Sequence, residues 1–183
     1  MIKPNASATT SAQYRTMAAT IKVLALDVDG VLTDGAIYYG NSGEELKAFN
    51  IKDGLGIKLL QESGVRVAII TGRQSDIVQR RATELGIDAV IQGREDKLVA
   101  LKELAVTLGI DLRECAYMGD DLPDLSAIAA AGLGMTVADA CSTVAATADW
   151  QSSLPGGAGA VREACEFLLT ASGSLEHAED RFR

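Results

Sequence analysis

The sequence predicts an α/β fold, a parallel sheet with helices on both faces, and three observations carry that reading. Short apolar runs alternate with amphipathic stretches from Thr20 onward. The runs are built from Val, Ile, Leu and Ala, as strands buried on both faces require. The stretches between them have the length and pattern of crossover helices, so the repeating unit is βαβ.

In chain order, residues 22–28 (KVLALDV) read as the first strand, 66–70 (RVAII) as the second and 89–91 as the third. Residues 115–118 and 133–136 read as the fourth and fifth. Helical patterns fall at 54–62, 75–85, 97–108, 122–131 and 160–170. One segment breaks the rhythm. Residues 36–50 (AIYYGNSGEELKAFN) hold two strand-like pieces around Asn41-Ser42-Gly43, a turn signal that places a β-hairpin between the first strand and the first helix. Residues 1–20, rich in Ala, Ser and Thr and lacking a hydrophobic signal core, are expected to be a loose, disordered extension, helical in part at most. Residues 21–171 then form one domain and 172–183 a C-terminal tail. Pro155-Gly156-Gly157 with Gly159 reads as a flexible joint before the last helix.

Composition removes several functions. With 17 basic and 25 acidic residues the net charge is −8, which disfavours nucleic-acid binding. The single histidine, His177, disfavours a Ser-His-Asp or Cys-His centre and a multi-histidine metal site. Cys115, Cys141 and Cys165 have no CxxC spacing, which suits a reduced, cytoplasmic compartment. No apolar run reaches the roughly 18 residues of a membrane span.

The chemistry lies at strand ends, where open α/β sheets keep their ligand crevice. The first strand ends in Asp27-Val28-Asp29-Gly30-Val31-Leu32-Thr33-Asp34-Gly35. Asp27 and Asp29 are two apart, so an extended chain puts them on one face, where they repel unless a cation intervenes. The fourth strand runs into Gly119-Asp120-Asp121-Leu122-Pro123-Asp124. If it neighbours the first, Asp120 meets Asp27, and such oxygen donors with water suit magnesium. The second strand ends at Thr71-Gly72-Arg73, a hydroxyl placed to bond a phosphate oxygen. Lys97 opens a helix, where a cation opposes the helix dipole unless an anion is near.

In this order the four strand ends resemble the haloacid dehalogenase superfamily of phosphohydrolases, over residues 22–150. The resemblance implies that Asp27 is the nucleophile and Asp29 the acid and base. It implies that Mg2+ is held by Asp27, Asp120 and the main-chain carbonyl of Asp29. Thr71 and Lys97 would hold phosphoryl oxygens, with Asp121 and Asp124 close by as ligands or supports. The Rossmann-like sheet, with its inserted hairpin and no large cap domain, agrees with that family.

The runs DVDGVLTDG, NSGEELKAFNIKDGLGIKLL, AIITGRQSDIVQRRATELGI, GDDLPDL and GGAGAVRE look, more closely, like the 3-deoxy-D-manno-octulosonate 8-phosphate phosphatase family. That likeness covers residues 23–168. It implies a cytoplasmic enzyme of lipopolysaccharide precursor synthesis whose sugar acid is held by Asn50, Ile51, Lys52, Asp53, Gly54, Lys58, Arg73 and Arg81, together with Asp29 and Lys97. Ala158 departs from the pattern, standing where the family's Gly-rich tail has a basic residue. Alternatives are a phosphatase for a nine-carbon ketodeoxy acid 9-phosphate or, from another class, a phosphoryl-accepting regulatory domain. Against the latter, Lys97 precedes Asp120 and Asp29 supplies an acid/base that a stable phospho-signal would not want. Residues 31–70 and 74–96 are too short for a cap domain. The apolar hairpin, with Ile37, Tyr38, Tyr39, Leu46 and Phe49, therefore points to a homo-oligomer, and the resemblance implies a homotetramer.

Overall fold

The computed structural model describes residues 8–87 and 89–183. The helices are α1 (Ala8–Ala18), α2 (Ile51–Glu62), α3 (Asp76–Leu85), α4 (Lys97–Leu108), α5 (Leu125–Ala130), α6 (Ser142–Thr147), α7 (Ala160–Ala171) and α8 (Leu175–Asp180). The strands are β1 (Val23–Leu26), β2 (Tyr38–Tyr39), β3 (Glu45–Leu46), β4 (Arg66–Ile70), β5 (Ala89–Ile91), β6 (Cys115–Gly119), β7 (Leu133–Thr136) and β8 (Trp150–Gln151). Six of these strands make a parallel sheet in the order β5-β4-β1-β6-β7-β8, and β2 pairs antiparallel with β3 as the inserted hairpin.

The strand residues sort by parity onto two cores. Leu24, Leu26, Val67, Ile69, Ala116 and Met118 pack under α2, α3 and α7, while Val23, Ala25, Ala68, Ile70, Cys115 and Tyr117 pack under α4, α5 and α6. Both faces are dry, which is why these strands read as unbroken apolar runs. The chain leaves β1 toward β4 and β5, then crosses back to β6. The crevice at the carboxyl end of β1 therefore opens between β4 and β6.

Three expectations need correction. Residues 8–18 are helical, not a loose extension: the Ala-rich stretch favours helix, α1 packs on α7, and Ala18 and Ile21 are buried in the core. The rest of that call, residues 1–7, lies outside the described residues. The C-terminal segment is not a free tail, because α8 packs on α7 and Arg181 pairs with Glu62 of α2 at 2.7 Å. The Gly-rich joint is a docked segment rather than a flexible one. Gly157 N–H donates to Val31 O at 2.9 Å, and Gly156 N–H donates to Asp139 Oδ1 at 3.0 Å.

Backbone meets backbone there. A Cβ on Gly156 would stand 1.9 Å from Gly30 O, in the loop that follows β1. Gly156→Ala must push that loop aside, so it is expected to cost about 2 kcal/mol, read as a Tm lower by roughly 4–8 °C in a thermal melt.

Candidate active site

Asp27 follows β1 directly, and its N–H donates to Met118 O at 3.0 Å, so the β1–β6 ladder carries it to the sheet edge. By strand alternation it shares the side of Val23 and Ala25, the face on which α4 begins. Lys97 is the first residue of α4 and only 4% exposed. Its Nζ lies 2.8 Å from Asp27 Oδ1 and 2.7 Å from Asp124 Oδ1. The buried Tyr117 hydroxyl donates to that same Asp124 oxygen at 2.7 Å. Asp124 Oδ2 accepts the N–H groups of Asp120 at 3.1 Å and Asp121 at 3.3 Å.

One carboxylate oxygen from each of Asp27, Asp120 and Asp124 lies within 4.8 Å of the other two. Gly30 makes room for this. Its φ is +91°, and a Cβ there would stand 2.1 Å from Asp120 Oδ2. Burial and the charge of Asp124 push the Asp27 carboxyl up to about 6 against the pull of Lys97. Burial, then Asp124 and Asp27, push Asp120 up to about 7. Burial alone would lower the Lys97 ammonium, but Asp27 and Asp124 outweigh it and hold it above its ordinary value. Oxygen donors that resist ionisation for lack of positive charge are the donor set a hard divalent cation such as magnesium satisfies.

The other marked residues divide into two groups. Thr71 is buried at the end of β4; its N–H donates to Ile91 O at 2.9 Å, and its Oγ1 accepts from Arg73 N–H at 3.4 Å. Asp29 is met by Lys47 Nζ on one oxygen, and Arg73 Nε lies 3.8 Å from the other. Asn50 caps α2 by accepting from Lys52 N–H, and its amide donates to Gly157 O at 3.2 Å. Arg81 lies over the Phe49 ring at 5.8 Å and approaches Asn50 O at 3.5 Å, directly above Gly54. These residues gather on one rim.

Asp53 and Asp121 stand apart from these contacts. Asp53 is buried with its carboxylate accepting Arg162 N–H at 2.8 Å, at the start of α7, so it ties α2 to α7. Asp121 is exposed and outside the oxygen cluster. Ile51, Lys52 and Lys58 are exposed on α2.

Sequence reasoning missed Lys47 and Tyr117. A hydroxyl inside the apolar run CAYMG needed a partner, which was the available signal for Tyr117.

The pattern of the haloacid dehalogenase-like hydrolases matches residues 51–132. The 3-deoxy-D-manno-octulosonate 8-phosphate phosphatase KdsC of Escherichia coli (strain K12) is 47% identical over 169 residues, 92% of this chain and 90% of that protein. The chain belongs to the haloacid dehalogenase-like hydrolases. A relative of the same name from Yersinia pestis is 50% identical over 161 residues, 88% of this chain and 86% of its own. The crystal structure of the 3-deoxy-D-manno-octulosonate 8-phosphate phosphatase from Moraxella catarrhalis, in complex with magnesium ion, phosphate ion and a KDO molecule, superposes with a TM-score of 0.92. It is 48% identical and covers 93% of this chain and 98% of that one.

For a hydrolase of this family the raised carboxyl groups set a pH window. Protons and a divalent cation compete for the same oxygens. Cation affinity is therefore full above the Asp120 and Asp27 values of about 7 and 6 and falls as pH drops through them. Magnesium binding, followed by titration calorimetry on the metal-free protein, is expected to be at least about tenfold weaker at pH 5.5 than at pH 7.5, with protons released on binding.

Proposed function

We propose that the protein hydrolyses 3-deoxy-D-manno-octulosonate 8-phosphate to the free sugar acid and inorganic phosphate, through a phosphoryl group carried transiently on Asp27. One coincidence carries the reading. The buried Asp27–Asp120–Asp124 oxygen cluster with Lys97 upon it occurs in a chain 48% identical to a phosphatase crystallised with magnesium, phosphate and KDO.

An Asp27 oxygen attacks phosphorus as the bond from phosphorus to the sugar oxygen breaks, and Asp29 gives its proton to that departing oxygen. Asp29 then takes a proton from a water molecule, whose oxygen attacks the aspartyl phosphate and frees both Asp27 and phosphate. Thr71 and Lys97 hold the phosphoryl oxygens. A carboxylate and a phosphate at 4 Å repel by about 4 kcal/mol per pair of unit charges at an effective dielectric of 20, so fixed positive charge is a condition of the reaction. Magnesium, held by Asp27, Asp120 and the main-chain carbonyl of Asp29, supplies the rest of that charge. Asp124 orients Lys97, and Asp121 supports the turn beside it.

Asn50, Ile51, Lys52, Gly54, Lys58, Arg73 and Arg81 are assigned to the sugar acid. The guanidinium forks of Arg73 and Arg81 suit its carboxylate. Asp53 serves that rim indirectly, by fixing α2 against α7. Residues 21–171 are the catalytic domain. No helix among the described residues is long and apolar enough to cross a membrane, and we place the enzyme in the cytoplasm, in lipopolysaccharide precursor synthesis.

A phosphate-release screen over sugar-acid phosphates tests the substrate. The eight-carbon ester is expected to be turned over fastest, EDTA to stop the reaction and magnesium to restore it. A nine-carbon 9-phosphate turned over faster would move the enzyme to that substrate. Asp27→Asn is expected to lose activity by at least about 10³-fold with an unchanged circular dichroism spectrum; a folded, active Asp27→Asn protein would refute the mechanism.

We also assign the active form to a homotetramer in which a neighbour closes each site. Ile37, Tyr38, Tyr39 and Leu46 of the hairpin are 41%, 49%, 72% and 64% exposed, an apolar face that a two-stranded ribbon does not keep in water unaided. Light scattering is expected to report about four times the chain mass of 19.2 kDa. A fully active monomer at assay concentration would overturn the assignment.

A further inference from the structure

Lys47 has no part in the roles above, yet its surroundings are unusual. It follows β3, on the hairpin's return, two residues from Glu45. Alternation puts Glu45 and Lys47 on one side of that strand and Leu46 on the other. The usual polarity is inverted. Leu46 is 64% exposed, paired across the ribbon with the exposed Tyr38, while the Lys47 side chain is 2% exposed. A lysine is almost never buried so deeply unless its charge is answered. Here the answer is Asp29, whose Oδ1 takes the Lys47 ammonium, with Glu45 Oε1 at 3.6 Å as a second, longer contact. Arg73 approaches from the other side, its Nε 3.8 Å from Asp29 Oδ2 and its Nη2 3.5 Å from Glu45 Oε1. Asp29 thus sits between two cations, one from the hairpin and one from the loop after β4.

We infer that Lys47 is a positioning residue for Asp29, holding its carboxylate at the angle that proton transfer to the leaving oxygen requires. Asp29 has a reason to need it. Asp29 lies in the turn that follows β1 rather than in the strand, so the sheet ladder does not fix its side chain. Arg73 is a weak restraint at 3.8 Å, with its side chain 41% exposed. Lys47 is buried and in direct contact, and it is delivered by the one element that interrupts the βαβ rhythm. The hairpin therefore carries part of the catalytic alignment on its inner face, whatever its outer face packs against. Asp29 reacts in its protonated form: its proton moves to the leaving oxygen as the bond from phosphorus to that oxygen breaks and the Asp27–phosphorus bond forms, which leaves the Asp29 carboxylate to Lys47 and Arg73; Lys47 itself exchanges nothing.

This rests on the phosphatase reading, and the test separates the two. Formation of the first equivalent of product is followed by rapid quench for wild type, Lys47→Met, Lys47→Gln and Lys47→Arg. Two magnesium-saturated substrates are compared. One is 4-nitrophenyl phosphate, whose leaving group departs without a proton. The other is the eight-carbon sugar-acid phosphate or, if wild type does not turn that over, a hexose 6-phosphate. Lys47→Met and Lys47→Gln are expected to slow the first turnover of the alkyl phosphate at least about thirtyfold. KM should stay within about threefold, and the loss on the aryl phosphate should be under about threefold. Lys47→Arg, keeping the charge, is expected to recover most of the rate. Equal losses on both substrates would mean that Lys47 only supports the fold of the site and would overturn the inference, as would wild-type rates in Lys47→Met. Wild type active on the hexose 6-phosphate but not on the sugar acid would instead defeat the substrate assignment and leave the Lys47 comparison intact.

Discussion

Negative charge gathered at the end of β1 has to be held in a dry place, and Lys97 is the cation the chain supplies for it. Its ammonium touches Asp27 and Asp124 at once, and most of the surrounding architecture serves that contact. Starting α4 at Lys97 puts positive charge where the helix dipole is already positive, a placement that Asp27 and Asp124 make favourable. Asp124 is fastened by Tyr117 and by two backbone N–H groups, so the lysine has a fixed counterpart. The remaining deficit of positive charge, expressed in the raised Asp27 and Asp120 carboxyl groups, is what makes the site a receptor for a cation and then for a phosphate.

The fold was legible wherever burial made the sequence monotonous. β4, β5 and β7 fall on the residues that their apolar runs predict, because polar residues stand only at strand ends, Arg66 opening β4 and Thr136 closing β7. α2 begins at Ile51 rather than at residue 54, since Asn50 caps it and Asp53 faces α7 instead of water. α6, β8 and α8 were not foreseen. Each is six residues or fewer, too short for periodicity to register. β8 exists because Met135 lies beside Trp150 and Thr136 beside Gln151 in space, a relation that no local pattern encodes.

The site was legible where its residues stand in one run of sequence. Asp27, Asp29, Asp120 and Asp124 announce themselves as carboxylates at strand ends. Lys97, Thr71 and Arg73 gain meaning from the same edge. Lys47 and Asp53 were opaque or misread for a shared reason. The role of each depends on a partner from a distant part of the chain, Asp29 for the first and Arg162 for the second. A lysine in a hairpin resembles any solvated lysine until the strand's inverted polarity is noticed, and an aspartate in the polar start of a helix gives no sign that it is buried against another.

The contact of Gly156 with Gly30 has a consequence in time. β1 leaves the ribosome first among the sheet strands, yet its loop is shaped by backbone from the final quarter of the chain. At about 5–20 residues per second the nascent chain carries this loop for several seconds before Gly156 exists to pack against Gly30. A chain cut short by a stalled ribosome or a protease thus displays the DVDG motif with its loop unsupported.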